Sequence, residues 1–228
     1  MTTTKDKLRQ LVSDFRQWLT DNFTLEEIEE LTTDDIAYPK WDEITVYFSE
    51  LLDKNLLITL DKEDKTNLLY LIGRNWDIGS MIAWLGKETK LSYCGELQKS
   101  DFLILAQTLT ELEHPEFNDA KSQIVSSFRK FEESTTEIEE ILLKFYNDKC
   151  EYTKRQSLYA LGKFGYYDIR KLIKQSWETI DDEHHKMGCL YVIDENIKDE
   201  KLLKHYLELA DKHEGEYLKS YVDKIRSR

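Results

Sequence analysis

Apolar residues recur every three or four positions along most of this chain, the spacing that lays a stripe down one face of a helix. Leu8, Leu11, Val12, Phe15 and Leu19 predict a first helix, and Ile44, Tyr47, Phe48, Leu51 and Leu52 predict another. Between them, Thr24 and Glu27 have the spacing of a capping box that opens a short acidic helix, and Pro39 marks a break before the next helix. Leu68, Leu71 and Ile72 give a further helix that Gly73 is placed to end, with Ile78, Ile82 and Leu85 as its partner up to Gly86. A less regular stretch over 90–98 leads to Phe102, Leu105, Ala106, Leu109 and Leu112, a stripe that stops near Pro115.

From residue 116 onward the helices come in pairs. Ile124, Phe128 and Phe131 line one helix, and Ser134 and Glu137 form a capping box for its partner, which carries Ile138, Ile141, Leu142 and Phe145. Thr153, Ser157, Leu158, Ala160, Leu161 and Phe164 then pair with Ile169, Leu172, Ile173, Ser176 and Trp177. Met187, Leu190 and Ile193 pair with Leu202, Leu203 and Tyr206. Sliding the middle pair back by 33 residues lays Leu158 on Val125, Leu161 on Phe128 and Phe164 on Phe131. A fixed period of this length is the signature of a helical solenoid, in which each pair leaves apolar surface for its neighbour to cover. Tyr217, Leu218, Tyr221, Val222 and Ile225 form a last amphipathic helix suited to capping such a stack.

Residues 154–165, reading Lys-Arg-Gln-Ser-Leu-Tyr-Ala-Leu-Gly-Lys-Phe-Gly, resemble the first helix of a HEAT repeat. Ala160 and Leu161 match that family's core positions, Gly162 and Gly165 its helix-ending glycines, and Leu172 and Ile173 the apolar pair of its second helix. The match is specific in this one unit, since Arg129 and Val192 stand at the place of Gly162 in its neighbours. The resemblance implies an all-α chain whose residues 115–228 form a right-handed α-solenoid of antiparallel helix pairs with a C-terminal capping helix. Residues 1–114 are then an N-terminal helical region of less regular helices, with an acidic segment at 21–43.

Composition agrees with this reading. An apolar fraction of 40% in 228 residues suffices for a core, and eight glycines and two prolines leave too little turn punctuation for a β-sandwich or barrel. No run of about 18 apolar residues exists to span a bilayer, and the polar start of the chain lacks a secretory signal, so a cytoplasmic location without membrane partners is expected. Cys94, Cys150 and Cys189 are odd in number and widely spaced, which fits reduced buried thiols rather than a disulfide framework or a zinc site.

Charge narrows the partners. A net charge of −13 and a pI near 4.9 disfavour nucleic acid and anionic membranes and favour a basic protein. Residues 21–43 hold nine acids against Lys40 alone, with Tyr38 and Trp41 interleaved among Asp34, Asp35, Asp42 and Glu43. In this segment Glu29, Glu30, Asp34, Asp35, Tyr38, Trp41, Asp42 and Glu43 form the candidate partner-binding set: acids to steer association, an aromatic to anchor it. The same pattern equally describes a solvated helix and turn whose aromatics pack inward.

Catalytic chemistry finds no comparable handle. His184 and His185 are adjacent and point about 100° apart on a helix, His205 and His213 lack ligand-rich company, and no HExxH or Cys/His spacing is present. The turn Gly73–Gly79 lacks both the dinucleotide fingerprint and the P-loop lysine. Glu132, Glu133, Glu139 and Glu140 read as a solvated helix face rather than an acid/base pair. No catalytic, cofactor-binding or metal-binding residue is assigned, and a non-enzyme is expected.

Three functions remain open. The first is a non-catalytic protein-binding module; a small acidic HEAT-like chain resembles the immunity proteins that neutralise bacterial toxins, many of them basic nucleases. The second is a nucleic-acid reader similar to HEAT-like DNA glycosylases, using a basic ridge of Lys154, Arg155, Lys163, Arg170, Lys171 and Lys174, with Trp177 or Tyr166 near a base. The third is a generic scaffold or regulatory subunit.

Overall fold

The structure, a computed structural model, describes residues 4–30, 36–74 and 99–228, with Glu29, Glu30 and Lys99 described by backbone alone. All regular elements among these residues are helical, as the apolar spacing requires. They are α1 (Thr4–Asn22), α2 (Leu25–Glu30), α3 (Trp41–Asp53), α4 (Lys62–Arg74), α5 (Lys99–Leu109), α6 (Asn118–Ser127), α7 (Thr136–Tyr146), α8 (Glu151–Lys163), α9 (Ile169–Thr179), α10 (Glu183–Tyr191), α11 (Glu200–Ala210) and α12 (Glu216–Arg226). The expected helix of Ile78, Ile82 and Leu85, the stretch 90–98 and Cys94 lie outside the described residues.

The chain divides into two compact units, Met1–Lys130 and Phe131–Arg228. The division falls later than the sequence boundary near residue 115, because α6 packs on α4 and α5. Ala120 sits against Gly73, and the Phe102 and Phe128 rings meet edge to face at 4.9 Å.

In the N-terminal unit the apolar stripes of α1 and α3 are buried at every position the spacing selects. The Thr24–Glu27 capping box forms: the Thr24 N–H donates to Glu27 Oε2 at 2.7 Å, and the Glu27 N–H donates to Thr24 Oγ1 at 3.2 Å. Gly73 does not end its helix. It lies inside the last described turn of α4, where an added Cβ would sit 3.1 Å from Ala120 Cβ, so its smallness lets two helices approach. At the start of α4, Asp64 is fully buried and binds Arg9 Nε at 2.9 Å, which ties α1 to α4.

In the C-terminal unit α7 packs on α8, α8 on α9 and α10, and α10 on α9, α11 and α12, while α11 and α12 also meet. The Tyr146 hydroxyl, within hydrogen-bond distance of Ser176 Oγ at 2.8 Å, donates to the Leu172 carbonyl at 3.0 Å, linking α7 to α9. Helix α7 is capped by Thr135, whose Oγ1 accepts from the Ile138 N–H at 3.3 Å, one residue beyond the Ser134 that the sequence suggests.

The two glycines of residues 154–165 act differently. Gly165, at φ +66°, ends α8: its N–H donates to the Gly162 carbonyl and the Tyr166 N–H to the Leu161 carbonyl, each at 3.0 Å, which is the Schellman closure. Gly162 is a contact glycine, since a Cβ there would meet Val192 Cγ1. After Tyr191 the α10 helix widens into a π-helical stretch, Val192–Ile197. It closes at Lys198, which adopts the left-handed conformation at φ 55°.

Candidate functional site

Asp34 and Asp35 lie outside the described residues, and Glu29 and Glu30 form the end of α2. The remaining four members of the candidate set part company at the start of α3. Tyr38 is 4% exposed and therefore belongs to the core. Its ring lies edge-on to Phe15 at 5.0 Å, Trp18 at 5.2 Å and Trp41 at 5.7 Å. Burial pushes its phenol above the ordinary value. Trp41 is half-buried beside Phe15, and its indole N–H donates to the Ile36 carbonyl at 3.0 Å. Neither ring projects as an anchor; in this segment the aromatics pack inward.

Asp42 and Glu43 do the opposite. Both occupy the first turn of α3, where carboxylates complement the helix dipole, and both are exposed. Among the described residues neither makes an ion pair.

Glu43 opens onto a cleft between α1 and α3 of about 400 Å³. Helical spacing builds both walls: Lys7, Leu11 and Asp14 from α1, and Glu43, Tyr47, Glu50, Leu51 and Lys54 from α3 and its end. Leu11, Tyr47, Leu51 and Leu56 give the cleft apolar surface, and Asp14, Glu43 and Glu50 give it carboxylates.

The carboxylates are held in different ways. Gln10 Nε2 donates to Asp14 Oδ1 at 2.6 Å and Lys40 Nζ to Oδ2 at 3.2 Å, which together keep the Asp14 carboxyl below its usual range. Lys54 reaches Glu50 at 3.4 Å, and Lys7 lies over the Tyr47 ring at 5.4 Å. The Tyr47 hydroxyl donates to the Thr4 carbonyl at 2.9 Å, and burial raises its pKa. Apolar walls rimmed by carboxylates suit the aliphatic stem and cationic head of a lysine or arginine. Asp14 and Glu50 escaped the sequence reading because each sits one or more helical turns from the dense acidic segment. The signal that links them is helical register across two elements, which a single stretch does not display.

No family model, curated protein or solved structure matches this chain.

The basic ridge of the C-terminal unit is largely engaged within the protein. Arg155 Nε donates to Glu151 at 2.8 Å, Lys163 Nζ to the Phe131 carbonyl at 2.8 Å and Arg170 to Asp199 at 2.9 Å, while Lys174 approaches Glu178 at 3.8 Å. Tyr166 is buried, and Trp177 meets Tyr206 edge to face at 5.0 Å, so both rings offered for base contact are occupied.

The candidate chemical residues are likewise integrated into packing. Cys189 is fully buried, and burial pushes its thiol up to about 12, which removes it as a nucleophile at neutral pH. His185 is fully buried with Nδ1 3.1 Å from Glu151 Oε1, whereas His184 lies against the Tyr217 ring at 5.2 Å. Burial raises the Glu151 pKa, but hydrogen bonds from His185 and Arg155 outweigh it and leave the carboxyl below its ordinary value. Among the described residues no three His, Cys, Asp or Glu side chains gather as a metal site, and no helix is long and apolar enough to cross a membrane.

Proposed function

We propose that this protein is a non-catalytic binding module that captures a basic protein, in the manner of an immunity protein neutralising a basic toxin such as a nuclease. One observation carries the reading: Glu43, in no ion pair among the described residues, opens onto a cleft whose walls join apolar surface to Asp14 and Glu50, and exposed Asp42 precedes it in the first turn of α3. The net charge of −13 steers a cationic partner toward the protein, and the cleft gives one of its basic side chains a place to seat. Carboxylates that occupy the positions meant for phosphates then block a nuclease without chemistry by the inhibitor.

The C-terminal unit supports this role as a HEAT-like scaffold. Helix α10 packs on both α8 and α12, α7 is tied to α9, and Arg170 of α9 binds Asp199 at the start of α11. These contacts between alternate helices are those expected of stacked antiparallel pairs in a right-handed solenoid.

Affinity capture from the native cell with the wild-type protein and with the combined Asp42→Asn, Glu43→Gln and Glu50→Gln variant tests the reading. The wild type is expected to enrich a basic protein whose separate expression is toxic and is rescued by co-expression. The triple variant is expected to bind it more weakly and with a shallower salt dependence. Capture of an acidic partner, or undiminished binding by the triple variant, would overturn the proposal.

A further inference from the structure

The C-terminal unit carries a second surface of different chemistry. Tyr152 and Tyr159 stand seven residues apart on α8, Tyr191 ends α10, and Tyr217 and Tyr221 stand four apart on α12. Both spacings keep side chains on one helix face. Tyr152 is 43% and Tyr217 is 63% exposed, although the amphipathic pattern of α12 had assigned Tyr217 to the buried stripe of Leu218, Val222 and Ile225.

Helix α10 packs on both α8 and α12, which groups their rings into a patch about it. Tyr159 and Tyr191 meet at 4.9 Å, and Tyr217 lies against His184 at 5.2 Å. Gly188 makes the patch possible, because a Cβ there would press on Arg155 and Tyr159, which lie across it. Burial raises the Tyr221 hydroxyl to about 12, with Tyr159, Asp194 and Glu195 adding to the rise and Arg228 opposing it.

Two guanidinium groups of the protein already show what the patch accepts. Arg155 lies over the Tyr152 ring at 5.0 Å. Arg228 Nη1 donates to Asp194 at 3.0 Å and to Glu195 at 3.1 Å, and the Glu195 side chain keeps 45% of its exposure. Tyrosine supplies broad, rigid contact area at small entropic cost, and a planar guanidinium stacks on an aromatic face better than an ammonium does.

We propose that the face formed by α8, α10 and α12 reads arginine: its tyrosines stack guanidinium groups of a basic partner segment while Asp194 and Glu195 balance their charge. This rests on the reading that the partner is a basic protein, but it does not depend on the α1–α3 cleft.

Titrating the full-length protein with labelled oligo-arginine and oligo-lysine peptides of equal length tests the assignment, with circular dichroism to verify folding of each variant. The arginine peptide is expected to bind about tenfold tighter, the scale of a few stacked guanidinium contacts. Tyr152→Ala with Tyr217→Ala, both at exposed positions, should bring arginine affinity down to the lysine level. Asp194→Asn with Glu195→Gln should weaken both peptides. Glu43→Gln with Glu50→Gln should leave the arginine preference intact, which separates this face from the cleft. Equal binding of the two peptides would overturn the proposal, as would tyrosine variants without effect. Self-association abolished by the tyrosine variants without any arginine preference would also overturn it, in favour of a second copy of the chain.

Discussion

In the N-terminal unit the aromatic rings converge: Phe15 meets Trp18, Tyr38, Trp41 and Tyr70 at centroid distances of 5.0 to 6.3 Å. In the C-terminal unit Tyr152 and Tyr217 stay at the surface although their helices are amphipathic and well buried on the opposite side. Acidic neighbours surround Tyr38 and Trp41 in sequence, yet those rings go inward. Tyr38 precedes α3 and goes inward by packing on Phe15 and Trp18, so tertiary contact, not the polarity of adjacent residues, decides which side of the fold this aromatic joins.

The sharpest way to break this contrast is to truncate one ring from each unit. Phe15 is fully buried and touches four other rings, so Phe15→Ala should cost about 3–5 kcal/mol of stability by lost transfer energy and an unfilled cavity. Tyr152→Ala, at a surface position, should change stability by no more than about 0.5 kcal/mol. Denaturant unfolding monitored by fluorescence and circular dichroism measures both. Similar losses would mean that the tyrosine face is structural.

The same contrast explains what the sequence could disclose. The stripes of α1, α3 and α7 were legible because each buried position obeys a short-range period, and burial follows that period residue by residue. The division after Lys130 was not, since the packing of α6 on α4 joins residues far apart in the chain. At the candidate site, Asp42 and Glu43 were legible as surface acids at a helix start. Of the two readings left open for Tyr38, no local pattern could choose inward packing, because burial of its ring depends on Phe15 and Trp18. Asp14 and Glu50 were missed for a related reason, as only the approach of α1 to α3 makes them neighbours of Glu43.

Glycines sharpen the account of the C-terminal unit. Gly162→Ala would force a Cβ against Val192 and should cost about 1–3 kcal/mol, the penalty of overpacking. Gly165→Ala meets nothing within 4 Å, and its cost should be about 1–2 kcal/mol from the positive φ alone. Adding Val192→Ala should relieve the first variant and not the second. Relief of both, or of neither, in a denaturant double-mutant comparison would contradict the two separate mechanisms.

A smaller effect distinguishes the cap of α7 from the residue that the sequence favoured. Thr135→Ala removes the acceptor of the Ile138 N–H and should cost about 1 kcal/mol. Ser134 donates to the Thr135 carbonyl at 3.3 Å and caps nothing, so Ser134→Ala should lie within about 0.5 kcal/mol of the wild type. The reverse ranking would place the helix start one residue earlier.

The mildest test is acid titration, which compares how the two units are tied. In the N-terminal unit the Asp64 N–H donates to Asp61 Oδ1 at 2.9 Å and Lys5 Nζ to Oδ2 at 3.0 Å. These bonds lower the Asp61 pKa from 3.8 to about 2, the backbone bond contributing most. A folded-state pKa below the unfolded value means stability that is present above about pH 4 and is lost as pH falls toward 2. In the C-terminal unit Asp181, Asp199 and Asp211 are also lowered, chiefly by Lys186, the Leu202 N–H and Arg226 respectively, so the direction is shared. Asp61→Asn should therefore flatten the acid loss only around the α1–α4 tie, while amide signals of α11 and α12 keep their wild-type pH response in two-dimensional NMR. An unchanged response at α4 would show that Asp61 does not set the acid sensitivity of its unit.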